Sequence, residues 1–401
     1  MRGTTKITVS LIAALWVGTA GVGTAAAQTV KIGLINTYSG PMASNGDQIQ
    51  KAVDLYMKLN ESKLPKGVKL EIIKRDDTGI NPETAKRLAQ ELIVRDKVDI
   101  LTGVVWTPNA AAIAPLTAEA KVPFIIMNAG TAMLTTLSPY IARTSFTLWQ
   151  SSYPMGDWAA KKYKSAYVAV ADYGPGHDAQ DAFIKAFKAG GGTIVGSVRM
   201  PPPTSDFAPY LQRIKDEKPE ALFVFVPAGK SATALMKSFG ELGLAQAGIK
   251  LIGPGDITDD VELPNMGDVP LGVVTMFHYS AAAERPANKT FVAEWKKAYG
   301  EKSWPNFISV GAWDAMQAIF DVVTQQKGKL DPDKTMAILK GWKNANSPRG
   351  PISIDPETRD IVQNEYVREV RKVGGVNANV EMDKETIKAV KDPWKEINNK
   401  K

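Results

Sequence analysis

Residues 30–60, "VKIGLINTYSGPMASNGDQIQKAVDLYMKLN", run from an apolar strand-like segment through a loop of glycines and small polar residues into a helix-like stretch. Many nucleotide sites begin this way, so the chemistry of the loop Tyr38–Gly46 bears on fold and function together. The loop carries Gly40 and Gly46 but no G-x-G-x-x-G, and Pro41 removes a backbone donor that a phosphate cradle would use. A second place, "GKS" at 229–231, follows a strand and opens a helix as a P-loop does. That motif needs a glycine at position 224, where the chain has Val224. Neither loop meets the phosphate requirement.

Working outward, the same strand–helix alternation continues. Strand-like runs at Val30–Ile35, Val68–Ile73, Val98–Gly103 and Val122–Met127 are separated by helical patterns at Gln48–Leu59, Pro82–Arg95 and Pro108–Ala120. Near-continuous apolar strands alternating with helices imply a parallel sheet covered on both faces. The pattern then restarts with strands in "SAYVAVAD" (165–172), "TIVGSVRM" (193–200), "ALFVFVP" (221–227), "IKLIGPGD" (249–256) and "LGVVTMF" (271–277). Helical segments at Asp178–Ala189, Phe207–Asp216 and Ser231–Leu242 alternate with them, and a late helical block precedes the strand-like "GPISIDPETRDIVQNEYVREVRKV". The expected class is α/β, with two similar doubly wound lobes on parallel-sheet cores. The late helices return to one of them.

Composition narrows the function. The 401 residues are 44% hydrophobic and 23% charged, enough for sizeable cores. The formal charge of +7 is spread without a basic block, so nucleic acid is not an expected partner. Residues 1–27 read as a secretory signal peptide, with Arg2 and Lys6, an apolar stretch, and "AAA" before Gln28. There is no cysteine, which excludes disulfides, thiolate metal sites and a lipidated N-terminal cysteine. With two histidines, His177 and His278, a histidine-rich metal site is not expected. An exported chain without an anchor suits a bacterial periplasm.

No G-x-S-x-G elbow is present, and Asp259–Asp260 reads as a solvated pair. What remains are the loops beyond the strand ends, where open α/β sheets bind ligands. In the first lobe these offer Tyr38, Ser39 and Asn45; Trp106 and Thr107; and Asn128, Ala129, Gly130 and Thr131. Helix N-terminal N–H groups and hydroxyls suit a small carboxylate, with Thr107 placed as an N-cap. The second lobe offers Tyr173, the "PAGK" loop at 227–230, and Asp256, which either meets a ligand ammonium or caps a helix. Phe277, His278 and Tyr279 form either an aromatic cleft wall or core packing.

The opening segment, "DDTGINPETAKRLAQELIVRDKVDILTG" (76–103), "MNAGTAML" (127–134) and "GPISIDPETRD" (350–360) together resemble the leucine/isoleucine/valine-binding type of periplasmic substrate-binding protein of ABC transporters. The resemblance spans about Val30 to Arg371. It implies the type I periplasmic binding fold, with lobes 28–146 plus 278–346 and 147–277 plus 347–401 joined by three crossings. It also implies a ligand held between the lobes and delivered by hinge motion to an ABC permease, with no catalysis and no cofactor. A monomer is expected, because the cleft must open and close. The family's carboxylate-binding positions fall on Thr107, Ala129, Gly130 and Thr131, and its cleft tyrosine on Tyr173. Two departures stand out: Gly255 occupies the position of the amino-acid binders' acid, with Asp256 one residue on, and Trp106 replaces a small residue. The expected ligand is a small hydrophobic carboxylate, either a hydrophobic amino acid or an aromatic or other organic acid or amide. A ligand-presenting sensor and an enzyme on the same fold are the competing classes.

Overall fold

Five short strands, β1 (Gln28–Asn36), β2 (Val68–Asp76), β3 (Ile100–Gly103), β4 (Phe124–Ile126) and β5 (Ile141–Arg143), pair in parallel in the order β2-β1-β3-β4-β5. The structure is a computed structural model describing Met1 and residues 28–40, 42–202 and 204–398. Residues 2–27 of the segment read as a signal peptide, and Pro41, lie outside the described residues. β1 is a central strand, so both of its faces are covered and Ile32, Leu34 and Ile35 are buried. The helices α1 (Ala43–Asn60), α2 (Pro82–Val94) and α3 (Thr107–Ala120) alternate with these strands. Helix α2 starts where the Asn81 side chain accepts from the Thr84 N–H at 3.1 Å, with Pro82 in its first turn. It buries Ala85, Leu88, Ala89 and Leu92 along one face.

Helix α1 begins earlier than the expected Gln48, so much of the opening loop is a helical turn. Gly46 makes this possible. A Cβ there would lie 1.7 Å from the Thr37 carbonyl oxygen, so only glycine lets the first turn pass over the end of β1.

The second sheet has β6 (Ser165–Ala171), β7 (Thr193–Met200), β8 (Ala221–Phe225), β9 (Lys250–Pro254) and β10 (Val274–Phe277), parallel in the order β7-β6-β8-β9-β10. The helices α4 (Leu148–Ala160), α5 (Gly174–Ala189), α6 (Ala208–Glu217) and α7 (Lys230–Glu241) belong to this series. Then α8 (Pro286–Tyr299), α9 (Phe307–Gln325) and α10 (Pro332–Lys340) return to the first lobe. Tyr56 of α1 meets the rings of Trp313 and Phe320 edge-on at 4.8 and 5.1 Å. The Tyr299 hydroxyl donates to the Lys51 carbonyl at 2.6 Å. Finally β11 (Lys343–Ser347), β12 (Gly350–Ile354), β13 (Ile361–Val373), β14 (Val376–Glu381) and β15 (Ile387–Val390) extend the second sheet through antiparallel pairs, and α11 (Trp394–Asn398) follows.

The chain passes between the lobes after β5, after β10 and after α10. Arg349, fully buried beside the third passage, ties it to the first passage and to both lobes. It donates to Asp314 of α9 at 2.9 Å, to the Ser145 carbonyl at 2.8 Å and to Gln363 of β13 at 2.7 Å. Among the described residues, no helix is long and apolar enough to cross a membrane, and no cluster of acidic or histidine side chains is arranged to hold a metal ion.

Candidate functional site

The carboxyl ends of the strands of the two lobes face each other across a cavity. On the first-lobe side, β3 ends in a strained turn. Gly103 has φ 105°, because a Cβ there would sit 2.2 Å from the Ile35 carbonyl oxygen. Val104 follows at φ 65°, which a β-branched residue adopts only when its surroundings dictate it, at a cost of about 1–3 kcal/mol. Its N–H donates to the Ile35 carbonyl at 2.8 Å and its carbonyl accepts from Ala129 at 3.2 Å. The turn presents Val105 and Trp106 to the cavity. Trp106 is buried with its indole N–H lacking a partner. The Asn128 amide donates to the Val105 carbonyl at 2.9 Å, leaving its oxygen unpartnered.

The loop from Asn128 to Thr131 is held from behind by Arg143 at the end of β5. Its guanidinium donates to the carbonyls of Ala129 and Thr131, each at 2.9 Å, and pairs with Asp360 at 2.8 Å in full burial. With those carbonyls drawn backwards, the N–H groups of Gly130 and Thr131 are left without backbone acceptors. The Thr131 hydroxyl donates to the Thr107 hydroxyl oxygen at 3.0 Å. Thr107 is therefore not the cap expected of it: Trp106 is the N-cap of α3, Thr107 is its first residue, and its hydroxyl serves Thr131.

The second lobe contributes Tyr173, at the N-cap of α5, and Phe225, the last residue of β8. Trp106 meets Tyr173 edge-on at 6.2 Å, and Tyr173 stacks with Phe225 at 6.1 Å, so aromatic faces from both lobes bracket the cavity. The lobes approach closely here. A Cβ on Gly174 would lie 2.6 Å from the Thr131 hydroxyl oxygen, and Asp178 accepts from the Ala132 N–H at 2.7 Å. Burial raises the Tyr173 hydroxyl well above the usual phenol range, and the Asp256 charge adds to this. Asp256 follows β9 in a 3₁₀ turn (Gly255–Thr258) whose N-cap is Pro254, so it caps no helix. It is 5% exposed, lines the cavity, and its Oδ2 has no partner. Burial pushes its carboxyl up to about 7, against the opposing pull of its own backbone N–H and of the Arg368 guanidinium.

Several expected residues lie elsewhere. Tyr38 and Ser39 are not on the cavity wall, and of the expected carboxylate-binding residues Gly130 lines it while Thr107, Ala129 and Thr131 do not. The Ser39 hydroxyl and the Tyr38 N–H both donate to the Asp76 carboxylate, at 2.7 and 2.9 Å, and the Tyr38 hydroxyl donates to Gln50 at 2.6 Å. The end of β2 captures this rim, and Met42 and Asn45, a turn further on, reach the cavity instead. Phe277 and Tyr279 are fully buried one layer behind the wall. Phe277 packs on Phe146 and Phe307, at 5.1 and 4.7 Å, and those two rings line the cavity. His278 stacks on Phe146 at 5.2 Å, so this aromatic triplet is core packing. Ala129 serves through its backbone, by way of Arg143. Phe146, Phe225 and Phe307 were not singled out from the sequence; Phe225 alone carried a signal, its place at a strand end.

The comparisons with known proteins agree with this geometry. Residues 29–375 match the family described as periplasmic binding protein. The Leu/Ile/Val-binding protein homolog 6 of Brucella melitensis is 42% identical over 362 residues, covering 90% of this chain and 92% of that protein. A solute-binding protein of an ABC transporter from Rhodopseudomonas palustris BisB5, solved in complex with 3,4-dihydroxybenzoic acid, is 51% identical with a TM-score of 0.88. The match covers 92% of this chain and 99% of that one. Another from R. palustris, in complex with 4-hydroxybenzoate, is 43% identical with a TM-score of 0.87, covering 91% and 98%. The chain therefore belongs to the periplasmic binding protein family, as a solute-binding protein of an ABC transporter.

Proposed function

We propose that the chain captures an aromatic carboxylate of the benzoate class between its lobes and delivers it to an ABC permease without transforming it. The observation that carries this reading is the aromatic bracket of Trp106, Tyr173 and Phe225 around one cavity. Offset and edge-on aromatic contacts favour a planar ring over a branched aliphatic side chain by about 0.5–1.5 kcal/mol per pair. The carboxylate is assigned to the Gly130 and Thr131 N–H groups and the Thr131–Thr107 hydroxyl pair, where charge-assisted bonds contribute about 1.5–3 kcal/mol each. Among the described residues, the titratable side chains that line the cavity are Tyr173 and Asp256.

In this reading the first lobe comprises residues 28–146 and 278–346, and the second 147–277 and 347–401. The strand β11 pairs with β12 of the second sheet, so the third passage is a paired ribbon rather than a free linker. The protein works as a monomer in the periplasm, after export and cleavage near Ala27–Gln28. A hydrophobic amino acid is the second reading, favoured by the 42% identity to a Leu/Ile/Val-binding protein homolog.

A thermal-shift panel of benzoates, cinnamates, branched-chain amino acids and amides tests the two. A ligand at about 100 times its dissociation constant stabilises the folded chain by about 2.7 kcal/mol. Benzoates should raise the melting temperature where leucine, isoleucine and valine leave it unchanged. The opposite ranking overturns the proposal.

A further inference from the structure

The first-lobe end of the cavity offers donors; the second-lobe end offers one acid. Asp256 is buried and lines the cavity, and its Oδ2 has no partner among the described residues. A buried carboxylate oxygen left unsatisfied carries a substantial desolvation cost, which a ligand donor would relieve. Directly behind it lies Arg368 of β13, also fully buried. A Cβ on Gly255 would sit 2.3 Å from Arg368 Nη2 and 2.3 Å from the Phe277 ring. Position 255 therefore has no room for a side chain, and the guanidinium lies against the backbone that carries Asp256.

Arg368 donates to neutral oxygens. Its Nε and Nη2 reach the Thr275 hydroxyl at 3.2 and 3.0 Å, and its Nη1 reaches the Tyr279 carbonyl. Its charge is shared by surrounding acids, which are otherwise engaged or pushed towards the neutral form. Glu381 pairs with Arg285 at 2.6 Å, Asp260 accepts from Asn379 at 3.0 Å, and burial raises the Glu365 carboxyl to about 8. The site thus already holds a cation of its own behind Asp256. A ligand ammonium would have to shed its hydration beside that guanidinium, at a cost that grows in a low-dielectric site. A ring hydroxyl satisfies the open oxygen without bringing in a second charge.

Resting on the aromatic-acid reading above, we propose that Asp256 selects a hydroxyl on the ring opposite the ligand carboxylate. Arg368, seated against Gly255, is the positioning residue that keeps Asp256 facing the cavity. The specificity of this end is then a hydroxyl increment, the ratio of affinities for 4-hydroxybenzoate and benzoate.

Calorimetric titration of the chain with benzoate, 4-hydroxybenzoate and L-tyrosine tests this. The wild-type chain should bind 4-hydroxybenzoate on the order of 100-fold more tightly than benzoate, and L-tyrosine less tightly than either. Asp256→Asn, which preserves shape, should cut the increment to about 10-fold or less while benzoate affinity stays within a few-fold. Arg368→Met should shrink the same ratio, and Arg368→Lys should restore part of it; a merely structural role would weaken both ligands alike. Equal wild-type affinities for the two benzoates, or an unchanged ratio in Asp256→Asn, overturn the proposal and leave the aromatic-acid reading standing. Failure of the wild-type chain to bind either benzoate overturns both.

Discussion

The two walls of the cavity are built on opposite electrostatic plans. Behind the first-lobe wall, the charge is paired: Arg143 meets Asp360 at 2.8 Å and spends its other donors on the carbonyls of Ala129 and Thr131. The wall it supports offers backbone N–H groups and, among the described residues, presents no ionised side chain to the cavity. Behind the second-lobe wall, charge is left open. Oδ2 of the buried Asp256 has no partner among the described residues. The first wall thus has its buried charge paired and keeps only neutral groups open, the Trp106 indole N–H and the Asn128 side-chain oxygen, whereas the second holds an open carboxylate oxygen at a cost that a ligand can relieve. In the proposed reading, grip on a carboxylate and discrimination among rings are separated between the lobes, so both are complete only when the lobes meet.

The largest expected effect comes from unpairing the first wall. Arg143→Met strands Asp360 in the interior and releases two carbonyls, so it should destabilise the chain by about 3–5 kcal/mol in urea denaturation. A loss below about 1 kcal/mol would mean the first wall does not depend on that pair.

Next comes pH, which acts through the second wall. Burial raises Asp256 to about 7, and raises Asp259 and Glu365 to about 8, the neighbouring Asp260 adding to the effect at Asp259. Acids whose folded values are raised bind more protons folded than unfolded. Their contribution is therefore most favourable at low pH and is lost as pH rises through the folded values. Buried His278 has the opposite sign: its folded value is depressed, and its penalty appears only below about pH 6.5. Between pH 6.5 and 8.5 the acids act alone, and stability of the ligand-free chain should fall by on the order of 3 kcal/mol. A rise across that window would show that the second wall carries no such cost.

A smaller effect is expected within the first wall itself. Thr131→Val removes the hydroxyl that reaches Thr107, keeps the volume, and should weaken binding of 4-hydroxybenzoate by about 10- to 100-fold with little change in unfolding midpoint. Equal affinity would remove the hydroxyl pair from the carboxylate site. The smallest effect belongs to the rim. Ser39→Ala loses an exposed bond to Asp76 and should leave affinity within a factor of about two by calorimetry, since Ser39 does not line the cavity.

The alternation of strands and helices was legible because each central strand is apolar on both faces; the run "ALFVFVP" (221–227) contains β8, which lies between β6 and β9 and is buried throughout. The site was legible only in part. Trp106, Gly130, Tyr173 and Asp256 sit at strand ends, where the rule for open sheets directs attention, and all four line the cavity. Tyr38 and Ser39 sit at a strand end too, but Asp76 competes for their donors from a neighbouring strand, and sequence order does not reveal that pairing. Arg143 could not be read as a scaffold because the carbonyls it holds and the carboxylate it pairs with come from separate parts of the chain. Phe146 and Phe307 reach the cavity from the segments that open α4 and α9, where apolar residues read equally well as core. The opening loop illustrates the limit well: Gly46 is required by backbone contact with Thr37, and its role lies in packing rather than in any phosphate.

The most direct test of the account is a crystal structure of the chain with 4-hydroxybenzoate. The account predicts the ring between Trp106, Tyr173 and Phe225, the carboxylate on the N–H groups of Gly130 and Thr131, and the hydroxyl within hydrogen-bond distance of Asp256. A ring bound outside this cavity, or turned with its carboxylate towards Asp256, would contradict it.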